Sequence, residues 1–342
     1  MEFGIFDHND SGELPFSEHY DNRLRLIEAY DRAGFYCYHL AEHHFTPLAT
    51  TPSPGIFLSA ISQRTERIHF GPLVYLLPFY HPLRLIEEIC TLDQLSHGRF
   101  EFGVGHGVSP PEAMYWGMDP TSLRRRFEET LAVLIAGFTQ PAINFKGEFF
   151  DFNDVPVEIQ PFQRPYPTIW YGVTTDDSAA RAAARGFDVL TNRSIGEVPN
   201  LPHAYREHFV NTPDRPGRVP KVGTSRFVVV ADTDEAALAI ARRAYPKLNH
   251  SLETLFRKHH IPVAGGAKAA TFDAMRVEGT GIAGSPDTVL AELSAQLKDS
   301  GFNYLVLRFA IADMSYAESL RSLNLFVKHV MPELRGLDKP DE

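Results

Sequence analysis

The chain has 342 residues, of which 44% are hydrophobic and 22% charged, with 25 Phe and 13 Tyr. That is the composition of a globular protein with a sizeable core, and it excludes a disordered, fibrous or disulfide-stapled small scaffold. A formal charge of −10, from 33 Lys and Arg against 43 Asp and Glu, with no basic run longer than Arg124, Arg125 and Arg126, argues against a nucleic-acid partner.

Apolar strand-like runs alternate with amphipathic helical stretches along nearly the whole chain, the pattern of βα units around a parallel sheet. Strands are predicted at residues 2–6, 36–42, 68–75, 100–104, 168–173, 188–191, 226–231 and 303–309. Helices are predicted at residues 22–33, 82–96, 123–138, 176–185, 234–245, 286–300 and 316–330. The clearest carries Leu123, Phe127, Leu131, Leu134 and Phe138 at intervals of three and four, as one buried face requires. Pro82 suits a first helical turn, and Gly98 stands where a left-handed cap ends that helix. The architecture expected is a single α/β domain over residues 1–342, a (β/α)8 TIM barrel with insertions at residues 105–121, 140–167 and 260–284. A doubly wound open sheet is the alternative. No apolar stretch reaches the length of a membrane span, residues 1–10 do not read as a signal peptide, and Cys37 and Cys90 lie in apolar segments. A soluble protein of the reducing cytoplasm, its thiols free, is expected.

Four clusters carry candidate chemistry. Glu42, His43 and His44 close the second strand, where barrel enzymes keep catalytic groups. Adjacent histidines on an extended backbone point to opposite sides, and no HExxH or other ligand spacing accompanies them, so a metal is not expected. Phe79, Tyr80 and His81 follow the third strand and form either a core plug or the wall of an apolar cavity, with His81 placed to cap the helix from Pro82. Gly103, Gly105 and Gly107 surround the end of the fourth strand and permit close backbone approach, without the dinucleotide fingerprint. Thr174, Thr175 and Ser178 open a helix after the fifth strand, as a phosphate cradle or as a plain N-cap, since Asp176 and Asp177 would oppose an anion.

Together these segments resemble the bacterial luciferase-like, flavin-dependent monooxygenases. The likeness rests on Ala41–Glu42–His43–His44–Phe45, on Leu77 to Pro82, on the run Leu92-Asp93-Gln94-Leu95-Ser96-His97-Gly98-Arg99-Phe100, and on Arg126 to Glu129. It implies a TIM barrel, usually dimeric, that binds FMN at the C-terminal ends of its strands. It also implies use of reduced FMN from a separate flavin reductase, with O2, to oxygenate a small apolar organic substrate through a flavin C4a-hydroperoxide that must be kept from water. By position, the resemblance makes His43 the acid or base near the flavin, with His44 beside it. It makes Leu73–Val74 a cis peptide behind the flavin ring, puts Gly105 beside the flavin, and places the FMN phosphate near His106, Arg126, Thr174, Thr175 and Ser178. Phe6, Phe79, Tyr80, Tyr115 and Trp116 are expected to wall the substrate pocket. Two departures stand out: Gly105 replaces a reactive cysteine of the luciferases, and His106 replaces an arginine, which predicts FMN affinity that rises as pH falls. A deazaflavin-dependent oxidoreductase of the same fold and a non-catalytic flavin-binding partner subunit are the competing functions.

Overall fold

A computed structural model describes residues 1–10, 12–107, 109–211, 217–263 and 269–336. Residues 264–268 of the expected insertion at 260–284, and the tail from 337, lie outside the described residues. The strands are β1 (Glu2–Asp7), β2 (Cys37–Leu40), β3 (His69–Pro72), β4 (Tyr75–Leu76), β5 (Phe102–Gly105), β6 (Ala142–Lys146), β7 (Asp151–Pro156), β8 (Ile169–Gly172), β9 (Asp188–Thr191), β10 (Val222–Val230), β11 (Gly281–Gly284) and β12 (Tyr304–Arg308). The helices are α1 (Phe16–Ala33), α2 (Pro54–Arg64), α3 (Pro82–Leu95), α4 (Pro110–Tyr115), α5 (Leu123–Thr139), α6 (Asp176–Ala183), α7 (Leu201–His208), α8 (Asp234–Lys258), α9 (Phe272–Glu278), α10 (Pro286–Leu297), α11 (Tyr316–Leu325) and α12 (Met331–Gly336).

The main sheet runs in the order β3-β2-β1-β12-β10-β9-β8-β5-β4, with each neighbouring pair parallel. β3 and β4 are two halves of one stave, separated by the cis Leu73–Val74 bond. Because β4 pairs with β5 while Phe70 of β3 bridges Phe100 just ahead of β5, the sheet curls almost shut into a barrel. The barrel reading therefore holds and the open doubly wound sheet does not. β11 pairs with the upper half of β10 as an added parallel strand.

Local signals position these elements. On α5 the buried residues include Leu123, Phe127, Leu131, Leu134 and Phe138, the stripe its spacing predicts. Gly98 has φ 83° and its N–H closes on the Asp93 carbonyl at 3.0 Å, ending the turn after α3 as a left-handed residue should. His81 does not cap α3 through its side chain, contrary to expectation; its ring instead meets Phe150 and Phe152 edge-on, each at 5.9 Å. Two insertions have structure that was not foreseen: residues 140–167 hold the antiparallel hairpin of β6 and β7, and residues 260–284 hold α9 and β11. The predicted helix 234–245 continues through Pro246 as far as Lys258, and that extension reaches over the upper mouth of the barrel.

Candidate active site

The strands point their C-terminal ends at one mouth of the barrel, and the chain leaving β2 brings Glu42, His43 and His44 there. The Glu42 carboxylate is buried, lies 2.8 Å from His44 Nε2, and accepts the Leu76 N–H at 3.1 Å. Burial pushes its pKa up, against the lowering pull of the His44 hydrogen bond. This contact commits His44 to the wall between β2 and β4. His43 turns the other way, as alternation along an extended chain requires.

The His43 ring is held by a residue that sequence analysis did not single out. Glu112 of α4, itself 2% exposed, places Oε1 3.1 Å from His43 Nδ1, and the same oxygen accepts the His44 N–H at 3.2 Å. With Nδ1–H donated to a carboxylate, Nε2 is the nitrogen free to take or give a proton. The sequence held a misleading signal: Ser109-Pro110-Pro111-Glu112 has capping-box spacing. Ser109 makes no side-chain cap in the structure, and Glu112 faces His43 instead.

His43 and Glu112 border a cavity of about 220 Å³, with Phe6, His8, Asn192 and Arg308 from strand ends and Leu48, Leu252, Leu255, Phe256 and Val263 as an apolar roof. The roof depends on the unforeseen extension of α8. His8 stacks on His43 with ring centroids 6.0 Å apart. Of the expected substrate wall, Phe6 lines this cavity. Phe79, Tyr115 and Trp116 gather instead around His44 and Phe45: Trp116 packs on His44 at 5.3 Å and on Phe79 at 5.9 Å, and Tyr115 on Phe45 at 5.2 Å. Tyr80 packs against Tyr75 at 5.2 Å, and its pKa is driven far up by burial and the nearby charge of Glu42.

Leu73 and Val74 face the glycines of β5. A Cβ on Gly103 would lie 2.5 Å from Leu73 Cδ1, and one on Gly105 would lie 2.5 Å from Val74 Cγ2. A cysteine at 105 would therefore require Val74 to move. A Cβ on Gly172 would meet nothing within 4 Å. Space is thus open above β8, the neighbour of β5.

The loop that follows β8 holds the phosphate candidates. Thr175 Oγ1 accepts the Ser178 N–H at 3.2 Å, while Ser178 Oγ accepts from Thr174 N at 3.2 Å and Thr175 N at 3.1 Å, a capping box at the start of α6. The β5–β8 register, Val104 opposite Tyr171, brings His106 up beside this loop. Burial lowers the His106 pKa, the neighbouring Arg124 adding to the effect. Arg126 donates from Nε to the Pro78 carbonyl at 3.0 Å and lies over the rings of Phe149 and Phe150, at 5.4 and 5.1 Å. The open space above Gly172, across β5 from Leu73–Val74, and the hydroxyls of Thr174, Thr175 and Ser178 are chemically compatible with a flat ring system carrying an anionic tail; Arg126 is tied to Pro78 and the hairpin side. Among the described residues no group of three or more His, Cys, Asp or Glu is placed to hold a metal ion, and no helix is long and apolar enough to cross a membrane.

Comparison with known proteins matches residues 1–304 to the family model described as luciferase-like monooxygenase. The uncharacterized protein y4wF of Sinorhizobium fredii is 38% identical over 94% of this chain and 93% of its own length. Limonene 1,2-monooxygenase of Rhodococcus erythropolis is 28% identical over 98% of this chain and 87% of its own. Among solved structures, monooxygenase RslO1 of Streptomyces bottropensis superposes with TM-score 0.85 at 26% identity, covering 98% of this chain and all of that one, 100%. The oxygenating constituent of 3,6-diketocamphane monooxygenase from Pseudomonas putida, solved with FMN, has TM-score 0.76 at 21% identity, over 97% of this chain and 98% of its own, a likeness of fold.

Proposed function

Because the chain belongs to the luciferase-like monooxygenase family, we propose that it is the oxygenating component of a two-component system, taking reduced FMN from a separate reductase and transferring one atom of O2 to a small organic molecule. The observation that carries this is His43, on the wall of a roofed cavity with Nδ1 fixed by a buried carboxylate. A relative named as the oxygenase component of a flavin-dependent trigonelline monooxygenase, from Acinetobacter baylyi and 28% identical over 70% of this chain and 68% of its own, supports the separate reductase.

Bound at Leu73–Val74, reduced FMN would supply the electrons that activate O2. The protein's own residues do the rest. The Thr174–Ser178 turn offers hydroxyls and the start of α6 to the phosphate. Leu48, Leu252, Leu255, Phe256 and Val263 exclude water from the reacting atoms. His43 moves a proton at Nε2, and Glu112 holds the ring in that tautomer and stabilises it when protonated.

Anaerobic titration with reduced FMN, followed by mixing with oxygenated buffer, tests the proposal. Saturable binding and return of oxidised-flavin absorbance more slowly than for free reduced FMN are expected. No binding of reduced FMN, or a return at the free rate, would overturn it; binding of a reduced deazaflavin in its place would assign the hydride-transfer alternative.

A further inference from the structure

Arg308, the last residue of β12, lines the same cavity as His43 and is only 7% exposed. Its guanidinium is sandwiched between Phe6 and Phe227, with Cζ 4.3 and 4.4 Å from the two ring centroids. The rings cover the faces of the group and leave its N–H edge for hydrogen bonds. That edge is poorly used: Nη2 reaches Ser225 Oγ at 3.4 Å, and the buried Nε has no partner. No carboxylate stands within ion-pair distance of Arg308 among the described residues. Asp7 and Asp10 act on it only from a distance, because both lie against Arg23, each at 3.5 Å.

The other charges of the cavity are spoken for. Glu112 is engaged by His43 and the His44 N–H, and Glu253 by Arg257 and Asn249. Burial pulls the Arg308 pKa down to about 10, so the group is still a cation at neutral pH. A buried cation with a free edge, with no carboxylate at ion-pair distance in a cavity whose carboxylates are hydrogen-bonded elsewhere, is suited to an anionic ligand. The buried Ser109 Oγ, also without a partner on the cavity wall, is a further donor of the kind an oxyanion uses.

We propose that Arg308 anchors a carboxylate on the substrate, so that this cavity takes an organic acid with an apolar body, the body under the α8 roof and the carboxylate on the guanidinium edge. The proposal rests on the monooxygenase reading of the same cavity and narrows its substrate class from the wholly apolar molecule that the family resemblance implies.

Calorimetric titration of the full chain with matched probes, benzoate against benzamide and hexanoate against hexanamide, tests it. The acids are expected to bind about ten- to a hundredfold more tightly than the amides. Arg308→Met should erase the preference while amide affinity holds to within about twofold. Arg308→Lys, which keeps the charge without the planar fork, should retain part of the preference, and it serves if the Met variant does not fold. Equal affinity of the wild-type protein for acid and amide overturns the inference. So does an unchanged acid-to-amide ratio in the variants together with weakened reduced-FMN binding, which would give the arginine to the flavin. Reduced-FMN binding, measured separately in the wild type, keeps the two readings apart: acid preference without flavin binding supports the anion site while sinking the proposed function, and flavin binding without acid preference does the reverse.

Discussion

At the lower mouth of the barrel the buried Glu101 accepts from Trp170 Nε1 at 2.6 Å and from the Tyr36 hydroxyl, and lies 3.1 Å from His69 Nδ1; at the upper mouth Arg308 has a buried Nε with no partner. Beside Glu101, His39 Nε2 meets the Tyr304 hydroxyl at 2.9 Å. Lower-mouth charges thus stand beside opposite charges, Asp188 with Arg218 as Glu101 with His69, whereas Arg308 at the upper mouth has no carboxylate within ion-pair distance among the described residues. Since a buried polar group without a partner costs about 1–3 kcal/mol, and a charged one more, the unanswered guanidinium is where a ligand would complete the fold. Changes at the lower mouth should act on stability, and changes at the upper mouth on chemistry.

The largest effect is expected from His43→Asn, which should lower product formation by about 10²–10⁴-fold with little change in melting temperature. Glu112→Gln should bring much of the same loss by releasing the ring, and a single-turnover assay measures both. If either variant retains full turnover, the division between the mouths fails.

Glu101→Gln supplies the opposite arm. It should cost about 3–5 kcal/mol of stability in urea unfolding while leaving reduced-FMN affinity intact. Burial alone would raise the Glu101 pKa, but the hydrogen bond and charge of His69, with Lys221 and Tyr36, hold it at about 2, below the ordinary 4.5. A depressed carboxylate contributes stability that is complete above 4.5 and is lost as pH falls towards 2. The wild-type advantage over the variant should therefore be constant between about pH 6 and 8 and shrink below about 4.5. An advantage that grows on acidification would contradict this.

Gly105→Cys, which restores the residue of the luciferases, sharpens the comparison at smaller scale. Its Cβ would lie 2.5 Å from Val74 Cγ2, so a loss of about 1–3 kcal/mol and weaker flavin binding are expected by thermal melt and titration. The smallest effect concerns His106. Because burial lowers its pKa from the ordinary 6.5, the acid-side rise in FMN affinity should begin only below that value, with a flat dissociation constant between about pH 7 and 8.

The staves of the barrel were legible because a buried parallel strand is a continuous apolar run, and the stripe on α5 because a buried helix face repeats every three to four residues. The hairpin of β6 and β7 escaped because its faces are largely exposed and its sequence mixes aromatic, polar and Pro residues. β11, Gly-Ile-Ala-Gly, is too short and too poor in branched residues to stand out. In the site, His43 announced itself as a titratable group at a strand end. Glu112 did not, because its partner lies 69 residues away and the local spacing signalled a cap. Arg308 was visible as a charge at the end of an apolar strand, Tyr304-Leu305-Val306-Leu307-Arg308, but its lack of a counter-charge is a property of the closed barrel alone. The roof was missed because Pro246 reads as a helix stop, whereas α8 runs through it.

The most direct test of the account is stopped-flow mixing of the protein loaded with reduced FMN against oxygenated buffer, comparing wild type, His43→Asn and Glu101→Gln on one time base. The account predicts a delayed return of oxidised-flavin absorbance in the wild type, the same delay in folded Glu101→Gln, and an altered or absent delay in His43→Asn. An identical time course in wild type and His43→Asn, or one in the wild type no slower than for free reduced FMN, would contradict it.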